Sequence, residues 1–316
     1  MGTALAKLIA GNGHRVYLWC RRKELADYIR RHHVNIDYYP NIRLPENIEP
    51  TTSFEYIEHS DVIFLAVPSH AIREMTRRIK KYVSPEQIIV NTAKGVEYPP
   101  FKRLSQVIQE EINSTKIVVM SGPNFAIEIA HDLPTGTTLA SSDTESLKLA
   151  KKILSNDNFI VEISSDVVGV EMGGVLKNVY AIAMGALSAL DINENAYYFI
   201  LTEAFKEMKN IIRRLGGRED SLFLSSGFGD LCLTSSSNKS RNRILGFICG
   251  KRMLSNVDDR TVIFEGKKAV RAVHDLIREL NLDCPVVDFV YEMIWERNDP
   301  YGSFLRLWNR LAGRYR

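Results

Sequence analysis

The residues that could do chemistry are single polar side chains set in apolar or glycine-rich runs. The run 167–190, VVGVEMGGVLKNVYAIAMGALSAL, holds Lys177 alone in a strongly apolar surround when it is read as a helix. Gly173 and Gly174 lie four and three residues before it and leave that helix face open to a close neighbour. Apolar surroundings disfavour an ammonium, so the pKa falls and the side chain can exchange protons near neutrality. A lysine snorkelling to the surface from a buried helix has the same spacing, so catalysis and packing both remain open here.

Three further clusters offer binding chemistry. Asn91-Thr92-Ala93-Lys94-Gly95 follows a strand-like run, the place where open α/β sheets take ligands, and Lys94 could pair with a phosphate. Ser121-Gly122-Pro123-Asn124 follows the next such run and could turn backbone N–H groups to an anion. In SGFGDLCLTSSSNKSRN (226–242), Gly227 and Gly229 bracket Phe228 and set Asp230 on a tight turn, with Thr234 four residues on. Ser240-Arg241-Asn242 then supplies a hydroxyl, a bidentate guanidinium and an amide, a combination suited to a phosphate monoester. Gly, Ser, Asn and Asp are also the ordinary vocabulary of turns and caps, so each cluster alone is a weak signal.

These residues need elements to hold them. Short β-rich runs occur at 15–19, 62–67, 88–91, 116–121, 136–140 and 159–163, with helical spacing between most of them. Alternation of this kind implies right-handed crossovers and a largely parallel sheet. Beyond about Ser164 the β signal stops, and 167–190, 196–215 and 262–280 all show helical spacing. Gly216-Gly217 signals a helix end, and Pro285 follows the last of these runs. The expected organisation is an α/β dinucleotide-binding domain over 1–165 and an all-α domain over 166–316.

The chain opens GTALAKLIAGNGH (2–14), which reads as the first helix of a Rossmann-like fold without the strand that should precede it. Gly2 stands at the third glycine of G-x-G-x-x-G, and the first two are absent. In a doubly wound sheet that strand is central, so its loss exposes two edges. A start placed too late, or a shortened chain, explains this; an ordinary surface helix is the alternative. After the next strand come Arg21-Arg22, where an NAD-selective fold has an acidic residue. Two guanidinium groups could hold a 2′-phosphate, which favours NADP(H), although a solvated helix start would look alike.

Composition narrows the classes. With 316 residues, 45% hydrophobic and 25% charged, the chain is an ordinary globular protein, not disordered, collagenous or coiled-coil. A net charge of +3 gives no prior for nucleic-acid binding. Four scattered cysteines form no C-x-x-C pair, so neither a disulfide framework nor a zinc site is expected, and a reducing cytoplasm is the simplest setting. No run approaches the roughly 20 apolar residues needed to span a bilayer, and no signal peptide is recognised. The seven histidines lack metal-ligand spacing, and neither a P-loop nor a G-x-S-x-G elbow occurs.

Taken together and in order, the clusters resemble the bacterial-type NAD(P)-dependent glycerol-3-phosphate dehydrogenases over almost the whole chain. The residues that carry the resemblance are GTALA (2–6), YYPNIRLPENI (38–48), AVPSHAIRE (66–74), NTAKG (91–95), SGPNFAIEIA (121–130), GVEMGGVLKN (169–178), GFGDLCLTS (227–235), SRN (240–242) and FEG (264–266). The resemblance implies reduction of dihydroxyacetone phosphate to sn-glycerol 3-phosphate for phospholipid synthesis, with NAD or NADP and with NADPH favoured. It implies that Lys177 is the general acid and base. Lys94, Gly122, Asp230, Ser240, Arg241 and Asn242 would bind substrate, with Arg241 clamping the phosphate. Arg21, Arg22, Lys94, Ala126, Arg241, Ile263 and Glu265 would contact the cofactor, and Pro68 would lie beside it. A homodimer is implied by the family alone. One departure stands out: the family has Thr-Arg-Gly where this chain has Thr202-Glu203-Ala204, which reverses a charge. A non-catalytic relative that binds a phosphorylated metabolite or partner, and a hydroxy-acid dehydrogenase, are the competing readings.

Overall fold

The computed structural model describes residues 1–113, 116–253 and 265–316, and they fall into two units. The first comprises Met1–Ala93 and Leu104–Val167; the second comprises Lys94–Arg103 and Val168–Arg316.

In the first unit the six strands expected from β-rich runs are present: β1 (Val16–Trp19), β5 (Val62–Leu65), β6 (Ile88–Asn91), β9 (Ile117–Ser121), β10 (Thr135–Ala140) and β11 (Phe159–Ser164). The last five form one sheet in the order β11-β10-β9-β6-β5, parallel except where β10 runs against β9. Helices cover both faces. α1 (Gly2–Gly11) and α6 (Thr144–Leu154) pack apolar residues such as Leu5, Leu8, Leu147 and Leu154 on one side. α3 (Ile72–Ile79) and α4 (Leu104–Ile112) pack Ile72, Ile79, Val107 and Ile108 on the other. Asp143 caps α6 by accepting the Ser146 N–H at 2.9 Å. Two strand pairs were not expected. β2 (Val34–Asn35) and β3 (Tyr39–Arg43) make a small antiparallel ribbon, and β4 (Ile48–Thr51) lies parallel to β1. Pro50 in β4 masks its strand signal, since proline demotes a run to an edge strand. α2 (Lys23–His32) and α5 (Ala126–Ala130) complete the unit.

The strands of this unit do not form one continuous sheet. β1 and β4 form their own two-stranded sheet, and β5 ends the larger one. A cavity of about 770 Å³ lies between β1 and β5 beneath α1, lined by Gly2, Leu5, Val16, Leu18, Val62 and Phe64 among others.

The second unit is helical apart from one ribbon, β7 (Val96–Glu97) with β8 (Lys102–Arg103). Its core is α7 (Val167–Ala189), buried on every side from Gly169 to Leu187. Among the described residues α7 alone is long and apolar enough, by length and composition, to cross a membrane, and nearly all of it is enclosed within the unit. Around it pack α8 (Glu194–Arg214), α9 (Asp230–Ser236), α10 (Arg241–Gly250), α11 (Glu265–Glu279), α12 (Pro285–Ile294) and α13 (Pro300–Arg314). The Gly216-Gly217 signal is a true helix end: Gly216 has φ +85°, and the Gly217 N–H reaches back to the Ile212 carbonyl at 2.9 Å. Pro285 starts α12, where its missing N–H costs nothing.

Candidate active site

α7 carries Lys177 into the interior of the second unit, where the residue is 7% exposed. The side chain does not snorkel. Its Nζ donates to Asp230 Oδ1 at 2.5 Å and to Thr234 Oγ1 at 3.0 Å. Lys94 Nζ donates to the other carboxylate oxygen, Asp230 Oδ2, at 2.8 Å. One buried carboxylate therefore bridges two ammonium groups.

Glycine makes this possible. A Cβ on Gly173 would sit 2.9 Å from the Ser226 carbonyl oxygen, and one on Gly227 would sit 2.2 Å from that of Leu222. The backbone over 226–227 therefore lies directly on α7 and delivers Asp230 to Lys177. The tight turn expected at Asp230 is instead one wide helical turn, Ser225–Gly229, that runs into α9 with Asp230 as its first residue. The apolar Leu231 beside it is fully buried, which favours a packed helix over a solvated turn. On that helix Thr234 falls on the same face as Asp230, four residues on, and its Oγ1 lies 3.3 Å from Asp230 Oδ1.

The electrostatics are opposed and coupled. Burial pushes the Lys177 ammonium down to about 7, against the pull of Asp230 and with a smaller push from the Lys94 charge. Burial alone would raise the Asp230 carboxyl, but Lys177 and Lys94 hold it below its ordinary value. The carboxylate thus stays charged while the buried lysine is poised to give or take a proton near neutrality.

α10 crosses α7 with the two backbones touching. A Cβ on Gly185 would lie 2.0 Å from the Arg243 carbonyl oxygen, and one on Gly246 would lie 1.9 Å from that of Ile182. This crossing holds Ser240, Arg241 and Asn242 at the start of α10. Ser240 is buried and serves as the N-cap, accepting the Arg243 N–H at 3.3 Å. Asn242 donates to Asn178 Oδ1 at 2.8 Å and accepts the Gly266 N–H at 3.2 Å. Arg241 is exposed, and among the described residues its guanidinium has no partner.

Sequence reasoning missed Asn178, next to Lys177, and named Thr234 only by its spacing from Asp230. The tight turn expected at Asp230 hid that this four-residue spacing is one turn of a helix. For Asn178 the partner lies 64 residues away, and no local pattern announces it.

The remaining expected residues lie in the first unit or at the edge of what is described. Gly122 follows β9 with φ +153°, and a Cβ there would be 2.9 Å from Thr137 Cα. Ala126 is the first residue of α5. Arg21 and Arg22 are exposed just beyond β1; Arg22 pairs with Asp37, and Arg21 has no partner among the described residues. Pro68 is exposed, just after β5. Ile263 falls outside the described residues, and Glu265 is described only as the first residue of α11.

Glu203, the reversed charge, is buried on α8 and already answered. It accepts Lys206 Nζ at 2.7 Å and the Tyr315 hydroxyl at 2.8 Å, with Arg314 at 3.6 Å.

The family profile described as NAD-dependent glycerol-3-phosphate dehydrogenase matches with its N-terminal part over residues 1–147 and its C-terminal part over 166–304. A glycerol-3-phosphate dehydrogenase (NAD(P)+) of Halothermothrix orenii is 38% identical over 307 residues, covering 95% of this chain and 89% of its own. One from Methanothermobacter thermautotrophicus is also 38% identical, over 93% of this chain and 90% of its own. The crystal structure of glycerol-3-phosphate dehydrogenase from Coxiella burnetii superposes with a TM-score of 0.87 at 30% identity, covering 96% of this chain and 94% of that one.

Proposed function

Since the chain belongs to the NAD-dependent glycerol-3-phosphate dehydrogenase family, we propose that it reduces dihydroxyacetone phosphate to sn-glycerol 3-phosphate with NADPH or NADH. The observation that carries this reading is the buried Asp230–Lys177 pair bridged to the partly buried Lys94, with Lys177 held at about 7.

Reduction of a ketone needs a proton at the oxygen as the carbon becomes tetrahedral. Lys177 supplies it from Nζ, and in the reverse direction the neutral amine removes it. Asp230 fixes the direction of that Nζ and keeps the ammonium stable enough to form in a buried place. Thr234 takes a second N–H and leaves the third for the substrate. Lys94 adds a second positive charge for an anionic substrate, and Arg241 clamps its phosphate. Gly122, Ser240 and Asn242 complete the substrate residues, Ser240 and Asn242 by shaping the α10 N-terminus.

The described residues fit a dinucleotide. Met1 caps α1 without a side-chain bond, so the first N–H groups of that helix are open, and Arg21 is an unpaired cation after β1. Bound NAD(P)H supplies the hydride. Arg21 and Arg22 hold its adenosine end, which favours the 2′-phosphate of NADPH; Ala126, Lys94, Arg241, Ile263 and Glu265 contact the rest. The enzyme works in the cytoplasm as a homodimer, with the α/β unit for the cofactor and the helical unit, which includes Lys94–Arg103, for the substrate. It feeds phospholipid synthesis, binds no nucleic acid and has no membrane span.

The test follows NADPH and NADH absorbance with dihydroxyacetone phosphate for the wild-type chain and Lys177→Ala. The variant is expected to lose at least about 100-fold in turnover, with cofactor affinity nearly unchanged. Undiminished turnover would remove Lys177 from the chemistry. A folded wild-type chain that reduces nothing would overturn the assignment.

A further inference from the structure

α7 carries two charged residues, Glu171 and Lys177, and both are buried. Glu171 stands about 9 Å before Lys177 along the axis of that helix. A carboxylate enclosed in such apolar surroundings requires a cation and hydrogen bonds. Arg103 answers it, with Nη1 donating to Glu171 Oε2 at 3.1 Å.

Arg103 is the last residue of the segment 94–103, and Lys94 is the first. Each end of the segment is thus tied to a buried carboxylate of the helical unit, Lys94 to Asp230 and Arg103 to Glu171. Between the ends, β7 and β8 pair Val96 with Arg103 and Glu97 with Lys102. Val96 and Phe101 pack against the core around α7, and the Tyr98 hydroxyl donates to Asp275 of α11. The two ends are not equivalent. Lys94 is a point charge on a flexible stem outside any strand, so its bond to Asp230 does little to fix the backbone beneath it. Arg103 is a planar, pre-organised donor held within β8, and it pairs across the ribbon with a residue two positions from Lys94.

We infer that Arg103 and Glu171 are positioning residues for the reaction proposed above: their ion pair pins the β7–β8 ribbon to α7 and thereby holds the Lys94 ammonium on Asp230. The contacts close a ring from α7 through Glu171, Arg103, the ribbon, Lys94 and Asp230 back to Lys177. The catalytic value of the ring rests on Lys177 moving the proton; the pinning itself does not. Among the described residues the charged groups facing Lys177 are Asp230, which favours its ammonium, and Lys94, which opposes it. Letting Lys94 leave Asp230 removes that opposition, so the Lys177 titration moves up from about 7.

The NMR resonance of the Lys177 Cε, assigned by its loss in Lys177→Met, follows this titration in the ligand-free, lysine-labelled chain. It reads the same whether or not the chain reduces dihydroxyacetone phosphate, so failure of the proposed reaction leaves the test intact. Lys94→Met sets the limit, an expected rise of at least about one pH unit. The double variant Arg103→Met/Glu171→Met replaces both charges by apolar side chains of similar volume, a change that buried pairs commonly tolerate, and alters no net charge. It is expected to show at least about half of the Lys94→Met rise. Should it not fold, Glu171→Met alone is read. There the lost negative charge by itself would lower the Lys177 midpoint, so a rise can come only from the displaced Lys94. An unchanged or lowered midpoint in the folded variant, even with a lower Tm, would show that the pair only stabilises the fold and would overturn the inference. No rise in Lys94→Met would overturn it equally, because the placement of Lys94 would then leave Lys177 untouched.

Discussion

Lys177 and Asp230 show how one residue's environment sets its chemistry. The ammonium sits at about 7 because burial outweighs the attraction of Asp230. On the proposed mechanism reduction uses the protonated form, so its rate should fall as pH rises through about 7, while oxidation of glycerol 3-phosphate uses the free amine and should rise over the same range. The two pH profiles of kcat, measured in opposite directions, should cross near that value. Parallel profiles would mean that another group moves the proton. At this scale the sequence was informative where a residue type was out of place. A lone lysine in an apolar helix and a glycine pair one turn before it marked a side chain that the fold buries against Asp230 instead of sending to the surface. Where a residue is unremarkable and its partner distant, as with Asn178 and Asn242, only Asn242 was marked, by its neighbours Ser240 and Arg241, and nothing local distinguished Asn178. Glu203 teaches the converse, because its reversed charge is matched within one helical turn by Lys206 and across the unit by Tyr315 and Arg314.

Elements position these residues through close backbone contacts more than through side-chain packing. The crossing of α7 and α10 depends on Gly185 and Gly246, each with a carbonyl oxygen of the other helix standing about 2 Å from where a Cβ would be. Gly246→Ala should therefore destabilise the helical unit by about 3 kcal/mol, since the methyl group has only main chain to displace. Gly313→Ala, where a Cβ meets nothing within 4 Å on α13, should be neutral or stabilising by up to about 1 kcal/mol. Urea unfolding of both variants separates the two cases, and similar midpoints would show that the helices can slide apart cheaply. Periodicity made β5, β6, β9, β10 and β11 legible because each is a run of β-branched or apolar residues in a covered sheet. β4 escaped because Pro50 breaks its pattern, and α9 and α10 escaped because their glycines and serines, chosen for close approach, read as loop.

For the whole molecule, stability should depend on pH through a buried carboxyl outside the reacting group. Glu207 on α8 accepts the N–H groups of Val286 and Val287 at 2.7 and 3.2 Å, yet burial pushes it up to about 8 from an ordinary 4.5. The folded chain therefore holds a proton that the unfolded chain releases. The stabilisation is complete below about 4.5 and is lost as pH rises toward 8, with a slope of at most about 1.4 kcal/mol per pH unit. The Tm of the wild-type chain should fall relative to that of Glu207→Gln between pH 5 and 8, and equal slopes would show that the carboxyl ionises freely when folded. The two-part plan was legible from the change of period near Ser164, but the path of the chain between the parts was not. Residues 94–103 return to the helical unit in the middle of the α/β sequence, carrying Lys94 to Asp230 and Arg103 to Glu171 at 3.1 Å. The halves are consequently interleaved, not modular. Recombination at the apparent seam would carry Lys94 away with the α/β half, so a hybrid would depend on its new donor for a lysine that meets Asp230.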